Sequence, residues 1–374
     1  MNIIDYVNKF GDKTFLEEPF RDSDALVLSQ IVYLNFNLIC EKFIFNKPEH
    51  RYFLKDLLDE KYTNILLVYN SIMEKNLYKF IEPIKKSRRF GELEIGYIQS
   101  TINKIDESQF FALTYFLPNG TLFLAFRGTD ATLTGWKEDL NMAHMNIVPS
   151  QIKANLYVNA VLSYEKDVPF YIGGHSKGGN LAYYAAMKMD DRHVPNLIRV
   201  YNLDGPGFKH PDVIFDPYRK RIVDKVCLKT IPHRSLVGIL LHHDIDSKIV
   251  KSTQLYLLQH DLFSWVIDSK SKDLVYLSRR SLISRVNEKT MKQFLNEFDD
   301  AEIKEIADAL LEMLGGHNYT VYDLARNPLS AIHRWRHIYR RYDKNKRTRL
   351  FKTIALLFKH WSVAVLTVGF KGEK

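Results

Sequence analysis

The spacing of hydrophobic positions predicts that the chain begins with helices. Within residues 1–95, apolar residues recur every three or four positions over 25–38 and again over 54–73. Ser23 and Asp24 stand just before the first run, where a short polar side chain caps a helix. We therefore expect a helical lead-in that packs on the rest of the molecule.

A different pattern begins near residue 96, where short apolar runs alternate with helical spacing. Such runs, bounded by turn residues, are typical of buried strands. The first two runs are joined by Leu-Pro-Asn-Gly at 117–120, and this Asn-Gly pair predicts a hairpin turn. Because strands that alternate with helices form a mainly parallel, twisted sheet covered on both faces, we predict an α/β core over residues 96–268. The predicted strands are 111–116, 121–126, 169–172, 198–203, 226–231 and 254–258.

Helical spacing returns after residue 268. It predicts helices over 287–298 and 300–314, the second of which is closed by a pair of glycines at 315–316. We expect residues 269–332 to form a helical C-terminal part, followed by a basic and apolar tail over 333–374.

Composition places the chain among ordinary folded proteins. Of its 374 residues, 46% are hydrophobic and 26% are charged, which excludes a disordered chain. The 2 cysteines, Cys40 and Cys227, lie in apolar stretches far from other metal-ligating residues, so we expect neither a disulfide framework nor a zinc site. The first residues lack the basic and apolar regions of a secretory signal, and we expect a cytoplasmic protein.

Positive charge is concentrated at the end of the chain. Residues 333–374 hold 12 Lys and Arg against Asp343 and Glu373, a net charge of +10, so the rest carries about −1 of the total +9. Charged residues interrupt the apolar stretch 350–370, which argues against a spanning helix and leaves an interfacial one. We expect this tail to contact an anionic membrane on its inner face. A solvated helix face and nucleic acid are the alternatives, nucleic acid being the less favoured.

One short motif carries the strongest indication of chemistry. A buried-strand pattern ends at Gly173, the sequence Gly174-x-Ser176-x-Gly178 follows, and a helix with an Ala-rich face begins at once. A serine hydroxyl is an effective nucleophile on such a sharp turn, where a base and a substrate carbonyl both reach it. The N-terminus of the following helix favours a developing oxyanion. The alternative is a plain glycine-rich turn in which Ser176 only caps the helix.

The residues around this motif resemble two related families. Gly-His-Ser-Lys-Gly-Gly at 174–179, with Phe-Arg-Gly-Thr at 126–129 and Trp-x-x-Asp at 136–139, is similar to the fungal (class III) lipases. Over about residues 10 to 325 the chain resembles more closely a bacterial family of lipase-like hydrolases of unknown function, the Mbeg-like family. The segments that carry this likeness are 15–24, 202–208 and 259–265. The resemblance implies the α/β-hydrolase fold and a serine hydrolase, and it names no substrate.

The same resemblance implies which groups form an oxyanion hole. In such lipases one backbone N–H follows the Phe-Arg-Gly-Thr strand and the other belongs to the residue after the nucleophile; here these are Thr129 and Lys177. Free N–H groups at the end of a predicted strand agree with that assignment. We interpret Arg127, Trp136 and Asp139 as residues that brace this loop.

The general base has one leading candidate. In α/β-hydrolases the triad runs Ser, then acid, then His along the chain. His260 directly follows the last predicted strand, where the fold places its base. His175 precedes the nucleophile, and we expect it to pack behind the turn.

Several candidates for the acid stay open. Fungal lipases carry it after the strand that corresponds to 226–231, but no carboxylate follows in Pro-His-Arg-Ser at 232–235. Asp204, at the end of the preceding strand, could orient the histidine, or could simply form an Asp-Gly turn. Asp244 and Asp246 are the alternatives.

Together these residues predict a serine hydrolase that cleaves a carboxylic ester, with a lipid acyl ester as the expected substrate. Ser176 would attack, His260 transfer the proton and Asp204 orient His260, with no metal or cofactor. The rival is a non-catalytic α/β-hydrolase scaffold that binds a partner or an anionic membrane through residues 333–374. The missing carboxylate after 226–231 favours that rival.

Overall fold

A single mixed sheet organises the protein, with its strands adjacent in chain order. The structure is a computed structural model that describes residues 1–42, 50–68, 74–130, 132–242, 245–313 and 328–369. In these residues the strands are β1 (Tyr52–Phe53), β2 (Glu94–Asn103), β3 (Ser108–Phe116), β4 (Leu122–Phe126), β5 (Phe170–His175), β6 (Leu197–Leu203), β7 (Cys227–Pro232), β8 (Ser247–Val250) and β9 (Tyr276–Leu277).

The central strands β4 to β8 run parallel, whereas β1 to β4 and the pair β8 and β9 are antiparallel. Parallel neighbours need crossover connections, and helices supply most of them here. The prediction of an α/β fold is therefore confirmed. Among the described strands, however, four neighbouring pairs are parallel and four are antiparallel, so the sheet is mixed rather than mainly parallel.

Helices lie on both faces of this sheet. They are α1 (Ile3–Phe10), α2 (Asp22–Ile31), α3 (Leu54–Leu57), α4 (Thr63–Leu66), α5 (Glu74–Lys86), α6 (Leu133–Asn141), α7 (Pro149–Tyr164), α8 (Lys177–Lys188), α9 (Pro211–Ile214), α10 (Pro217–Val226), α11 (Leu282–Leu295), α12 (Asp300–Met313), α13 (Pro328–Arg341) and α14 (Lys344–Gly369). None of the helices in the described ranges has the length and hydropathy needed to cross a bilayer.

Strand β4 shows how the two cores form. Phe123 and Ala125 join a cluster that also contains residues of α1, α2 and α5, while Leu124 and Phe126 join a second cluster with α7, α8 and α10. Because alternate side chains of a strand point to opposite faces, a wholly apolar strand is buried on both sides.

The predicted division of the chain into a lead-in, a core, a helical part and a tail, with boundaries after residues 95, 268 and 332, stays a prediction.

The predicted hairpin is present between β3 and β4. The two strands pair antiparallel from Phe116 with Leu122 to Ala112 with Phe126. Gly120 takes a φ of +79°, a conformation that glycine adopts without a steric penalty. The Asn-Gly pair therefore lies in a hairpin turn, as predicted.

The predicted strand over 254–258 is wrong. A short 3-10 helix, Tyr256–His260, stands there instead, and Tyr256 takes a φ of +50°. The four residues 255–258 are between 55% and 62% exposed, so this run has no apolar surface to pack against as a strand. The strand in this part of the chain is β8, a few residues earlier at Ser247–Val250. Its four residues are too few to give a clear hydrophobic pattern in the sequence.

The helix predictions are right in type and less so in extent. The run 25–38 gives α2, which begins at Asp22 and ends at Ile31, followed by a 3-10 turn at Phe36–Leu38. The run 54–73 is broken into the short α3 and α4, and residues 69–73 lie outside the described ranges. Helix α11 begins earlier than predicted because Ser281 Oγ accepts a hydrogen bond from the Ser284 N–H. The glycines predicted to close α12 lie outside the described residues.

A buried ion pair joins α2 and the loop before it to the segment between α5 and β2. Arg89, 2% exposed, donates from Nε and Nη2 to the two carboxylate oxygens of the fully buried Asp24, at 2.8 and 2.6 Å. Its guanidinium also donates to the carbonyls of Lys13, Thr14 and Glu18. All these acceptors belong to the lead-in, so one side chain fixes the loop between α1 and α2.

Replacing Arg89 by methionine should lower the free energy of unfolding by about 3 to 5 kcal/mol, because Asp24 would stay buried without its partner. Urea unfolding followed by circular dichroism measures the change. Arg88→Met is the matched control: Arg88 is 54% exposed and lies 3.7 Å from Glu17, a contact worth at most about 1 kcal/mol. Equal losses in the two variants would contradict the role given to Arg89.

Candidate active site

Ser176 lies on a strained turn between β5 and α8. Its φ is +59° and its ψ is −132°, a backbone conformation that costs a non-glycine residue about 1 to 3 kcal/mol. The turn is held because the Ser176 N–H donates to the Leu203 carbonyl at 2.9 Å, and the Gly179 N–H donates to the Ser176 carbonyl at 2.9 Å. A side chain at Gly178 would overlap the Phe126 carbonyl oxygen. The predicted strand, elbow and helix are thus present.

His260 is hydrogen-bonded to Asp204. His260 Nδ1 lies 2.7 Å from Asp204 Oδ2, and an ionised carboxylate only accepts, so Nδ1 carries the proton. The other carboxylate oxygen of Asp204 accepts from Ser235 Oγ at 2.6 Å and from the Gly238 N–H at 3.1 Å. Asp204 is fully buried, whereas 20% of the His260 side chain is exposed. Of the candidate acids, Asp204 is therefore the one that the fold brings to His260.

The alternative acids do not take this position. Asp246 is exposed on the chain just before β8, and no described hydrogen bond joins it to His260. Asp244 lies outside the described residues.

His175 connects the elbow to the turn that carries His260. Its Nε2 lies 2.7 Å from the His260 carbonyl oxygen, and its Nδ1 lies 2.9 Å from the Tyr33 hydroxyl. Because a carbonyl only accepts, Nε2 carries the proton and Nδ1 accepts from Tyr33. Burial, reinforced by the nearby His260, holds the pKa of His175 well below its usual range, so this ring is neutral. The expectation that His175 packs behind the turn is confirmed, and its contact with His260 is one that the sequence did not indicate.

Helix α6 holds the first candidate oxyanion residue. Thr129 Oγ1 donates to Asp139 Oδ2 at 2.6 Å, which fixes the loop after β4. Burial raises the pKa of Asp139 to about 6, against the opposing charge of Lys177. Arg127 is buried beneath the same loop, where Nη1 donates to Asn35 Oδ1 at 2.8 Å. Arg127 and Asp139 thus brace the loop as predicted; Trp136 lies half-buried on α6.

The second candidate oxyanion residue is held by the neighbouring carboxylate of the same helix. Lys177 Nζ, on a side chain only 1% exposed, lies 2.8 Å from Glu138 Oε2, and Glu138 is fully buried. Glu138 also accepts from the N–H groups of Gln109 and Ser150, at 3.0 and 2.9 Å. Adjacent side chains of α6 therefore anchor Thr129, in the loop after β4, and Lys177, at the start of α8. Sequence reasoning missed Glu138, because no local motif marks its contact with a lysine 39 residues away.

The backbone N–H groups of Thr129 and Lys177 have no hydrogen-bond acceptor among the described residues. Nor does a hydrogen bond join Ser176 Oγ to His260 Nε2 in the described part of the chain. Such contacts are commonly long without substrate and tighten when it binds. The described residues contain no cluster of three or more His, Cys, Asp or Glu side chains arranged to hold a metal.

Comparison with protein families assigns the chain. Residues 84–312 match the family model described as Mbeg1-like. The chain belongs to the Mbeg1-like family. This confirms the resemblance to that family; the match includes the segments 202–208 and 259–265, whereas 15–24 lies before it. The matched residues cover the sheet from β2 to β9 together with α11 and most of α12.

Several solved structures match this chain at low similarity. M37 lipase is 14% identical, with a TM-score of 0.38 over 59% of this chain and 70% of that one. The Rhizomucor miehei lipase in a propeptide complex is 16% identical, with a TM-score of 0.31 over 55% of this chain and 71% of that one. A fungal lipase in an inhibitor complex is 13% identical, with a TM-score of 0.33 over 55% and 84%. No curated protein sequence matches the chain.

Replacing Lys177 by methionine should lower the free energy of unfolding by about 3 to 5 kcal/mol, because Glu138 would be buried without a counter-charge. Adding Glu138→Gln should recover part of this loss, since a neutral amide still accepts the N–H groups of Gln109 and Ser150. Urea unfolding measures both changes.

The matched control is Lys166→Met, at an exposed lysine, which should change the free energy of unfolding by less than about 0.5 kcal/mol. If Lys177→Met were as stable as this control, Lys177 and Glu138 would not form the buried pair described above.

Proposed function

We propose that the protein is a serine hydrolase that cleaves a carboxylic ester through an acyl-enzyme on Ser176. The observation that carries the proposal is the 2.7 Å hydrogen bond between His260 Nδ1 and the buried Asp204, on a turn tied by His175 to the nucleophile elbow. A buried carboxylate that fixes the proton on Nδ1 leaves Nε2 as the base.

The proposed reaction has two halves. Ser176 Oγ attacks the ester carbonyl carbon while His260 Nε2 takes the hydroxyl proton, and the imidazolium is stabilised by Asp204. The carbon–oxygen bond to the leaving alcohol then breaks, and the same nitrogen returns the proton to the departing oxygen. Water, giving a proton to His260 Nε2, then attacks the carbonyl carbon of the acyl-enzyme. The bond between that carbon and Ser176 Oγ breaks, His260 returns the proton to Oγ, and the carboxylic acid leaves.

The free N–H groups of Thr129 and Lys177 would hold the oxyanion in each half-reaction. Removing one such donor costs about 2.7 to 4 kcal/mol of barrier stabilisation in a known case. Here both residues are anchored by side chains to Glu138 and Asp139, so the donors need little reorganisation when charge develops.

An apolar acyl group is the substrate that the surroundings of His260 favour. Four apolar residues lie just before His260 in the chain, three of them in the 3-10 helix that ends at this histidine. Each is more than half exposed: Leu255, Tyr256, Leu257 and Leu258. Large contiguous exposed apolar residues are unusual and mark binding surfaces. A lipid ester would cover them, and we therefore include the lipid acyl chain in the proposal.

The rival, a non-catalytic scaffold, was favoured by the missing carboxylate after residues 226–231. Asp204 supplies a carboxylate to His260 from the neighbouring strand β6, so this argument for the rival loses its weight.

A fluorophosphonate probe should label the wild-type protein, and Ser176→Ala should abolish labelling. His260→Ala should slow it by about 100- to 10,000-fold, because the general base is lost. Ser163→Ala is the matched control. This exposed serine on α7 donates to the Ala160 carbonyl of its own helix and to no other described residue, so its loss should leave labelling unchanged.

Two results would overturn the proposal. Labelling that persists in Ser176→Ala would mean that another residue reacts. A folded wild-type protein that is not labelled at all would favour the scaffold.

A further inference from the structure

Helix α14 carries an exposed apolar stripe along its length. Phe351, Ile354, Phe358, Trp361 and Val365 follow one another at alternating spacings of three and four residues, and so lie on one face. The exposed fraction of these side chains runs from 70% at Phe351 to 36% at Val365. Residues in this pattern normally face a core. Here the stripe faces outward.

The stripe faces away from the protein because the opposite side of α14 packs against other helices. That side packs along α11, with Ala364 fully buried and Lys289 Nζ donating to Thr367 Oγ1 at 2.6 Å. Nearer the start of the helix, Arg349 pairs with Glu305 of α12 at 2.7 Å. Because these contacts occupy the inner face, the described residues leave the stripe exposed, most of all at Phe351 and Phe358.

The helix that carries the stripe is strongly basic. Helix α14 carries six lysines and arginines, helix α13 before it carries four arginines, and neither contains an aspartate or glutamate. Lys352 and Lys359 each follow a phenylalanine of the stripe directly, so each lies about 100° around the helix from that phenylalanine, on the flank of α14. Both lysines are exposed, and Lys352 lines a groove with Glu302 and Glu305 of α12. An apolar stripe on a basic helix is complementary to a surface that is apolar within and anionic at its edge.

We propose that this face of α14 is a docking surface for an anionic lipid bilayer. The helix lies in the plane of the membrane, with the stripe among the acyl chains and Lys352 and Lys359 at the headgroup phosphates. A second copy of the chain is a poorer occupant, because pairing two such faces would bring their lysines together. The proposal rests on α14 alone and holds whether or not Ser176 is reactive.

Co-sedimentation of the full chain with vesicles tests this surface. The wild-type protein should bind vesicles of phosphatidylcholine with phosphatidylserine, bind pure phosphatidylcholine at least about tenfold more weakly, and be released by salt. The stripe variant, Phe351→Ser with Phe358→Ser and Trp361→Ser, should lose binding by at least about tenfold. Lys352→Ala with Lys359→Ala should weaken binding only where phosphatidylserine is present.

A matched control removes the same kind of surface elsewhere. Leu16, Val213 and Tyr218 are each 70% to 76% exposed, and replacing all three by serine should leave vesicle binding unchanged. Ser176→Ala should also bind like the wild type, which separates this test from that of the proposed function.

Three results would overturn the proposal. The first is equal vesicle binding by the stripe variant and the wild type. The second is no binding of the wild type to either kind of vesicle. The third is a wild-type protein that binds no vesicle and is a dimer in solution, with the stripe variant monomeric. Thermal unfolding of each variant, expected to match the wild type at these exposed positions, shows that a loss of binding is not a loss of fold.

Discussion

The backward turn at Ser176 is the constraint on which the rest of the site depends. A serine at a φ of +59° is kept only where its surroundings leave no other conformation, and here backbone hydrogen bonds to Leu203 and Gly179 close the turn. Glycine at 178 lets α8 begin against the carbonyl of Phe126 at the end of β4. The close approach of β4, β5 and α8 thereby places Ser176 beside the loop that begins at Gly128.

Helix α6 shows why polar residues are buried beside this turn. Glu138 and Asp139 are consecutive, yet the side chain of Glu138 reaches Lys177 at the start of α8 and that of Asp139 reaches Thr129 in the loop after β4. Burying these carboxylates is costly, as the raised pKa of Asp139 indicates, and an apolar contact would stabilise the fold more cheaply. In the proposed reaction, the ion pair and the hydrogen bond instead fix the two residues whose backbone N–H groups would hold the oxyanion. We interpret these buried carboxylates as lowering the stability of the fold while fixing the positions of Thr129 and Lys177.

Local signals in the sequence identified the parts of the site, and contacts between distant residues assemble it. The elbow around Ser176 and the hairpin before it each depend on a short run of consecutive residues, so both could be predicted. His260 is a candidate because it follows an expected strand. That strand is wrong, since a 3-10 helix stands there, and the histidine at its end hydrogen-bonds to Asp204. The contact of His175 with His260 joins residues 85 apart, and no periodicity or turn chemistry reports such a pair. For the same reason the sequence left Asp204, Asp244 and Asp246 undecided, because the choice depends on how β6 and the 3-10 turn meet.

The most direct test of the account is a crystal structure of the protein after reaction with a phosphonate ester. The account predicts a phosphonyl group on Ser176 Oγ, with its free oxygen about 3 Å from the N–H groups of both Thr129 and Lys177, and with His260 Nδ1 still bonded to Asp204. A phosphonyl group on another residue, or an oxygen directed away from both N–H groups, would contradict it.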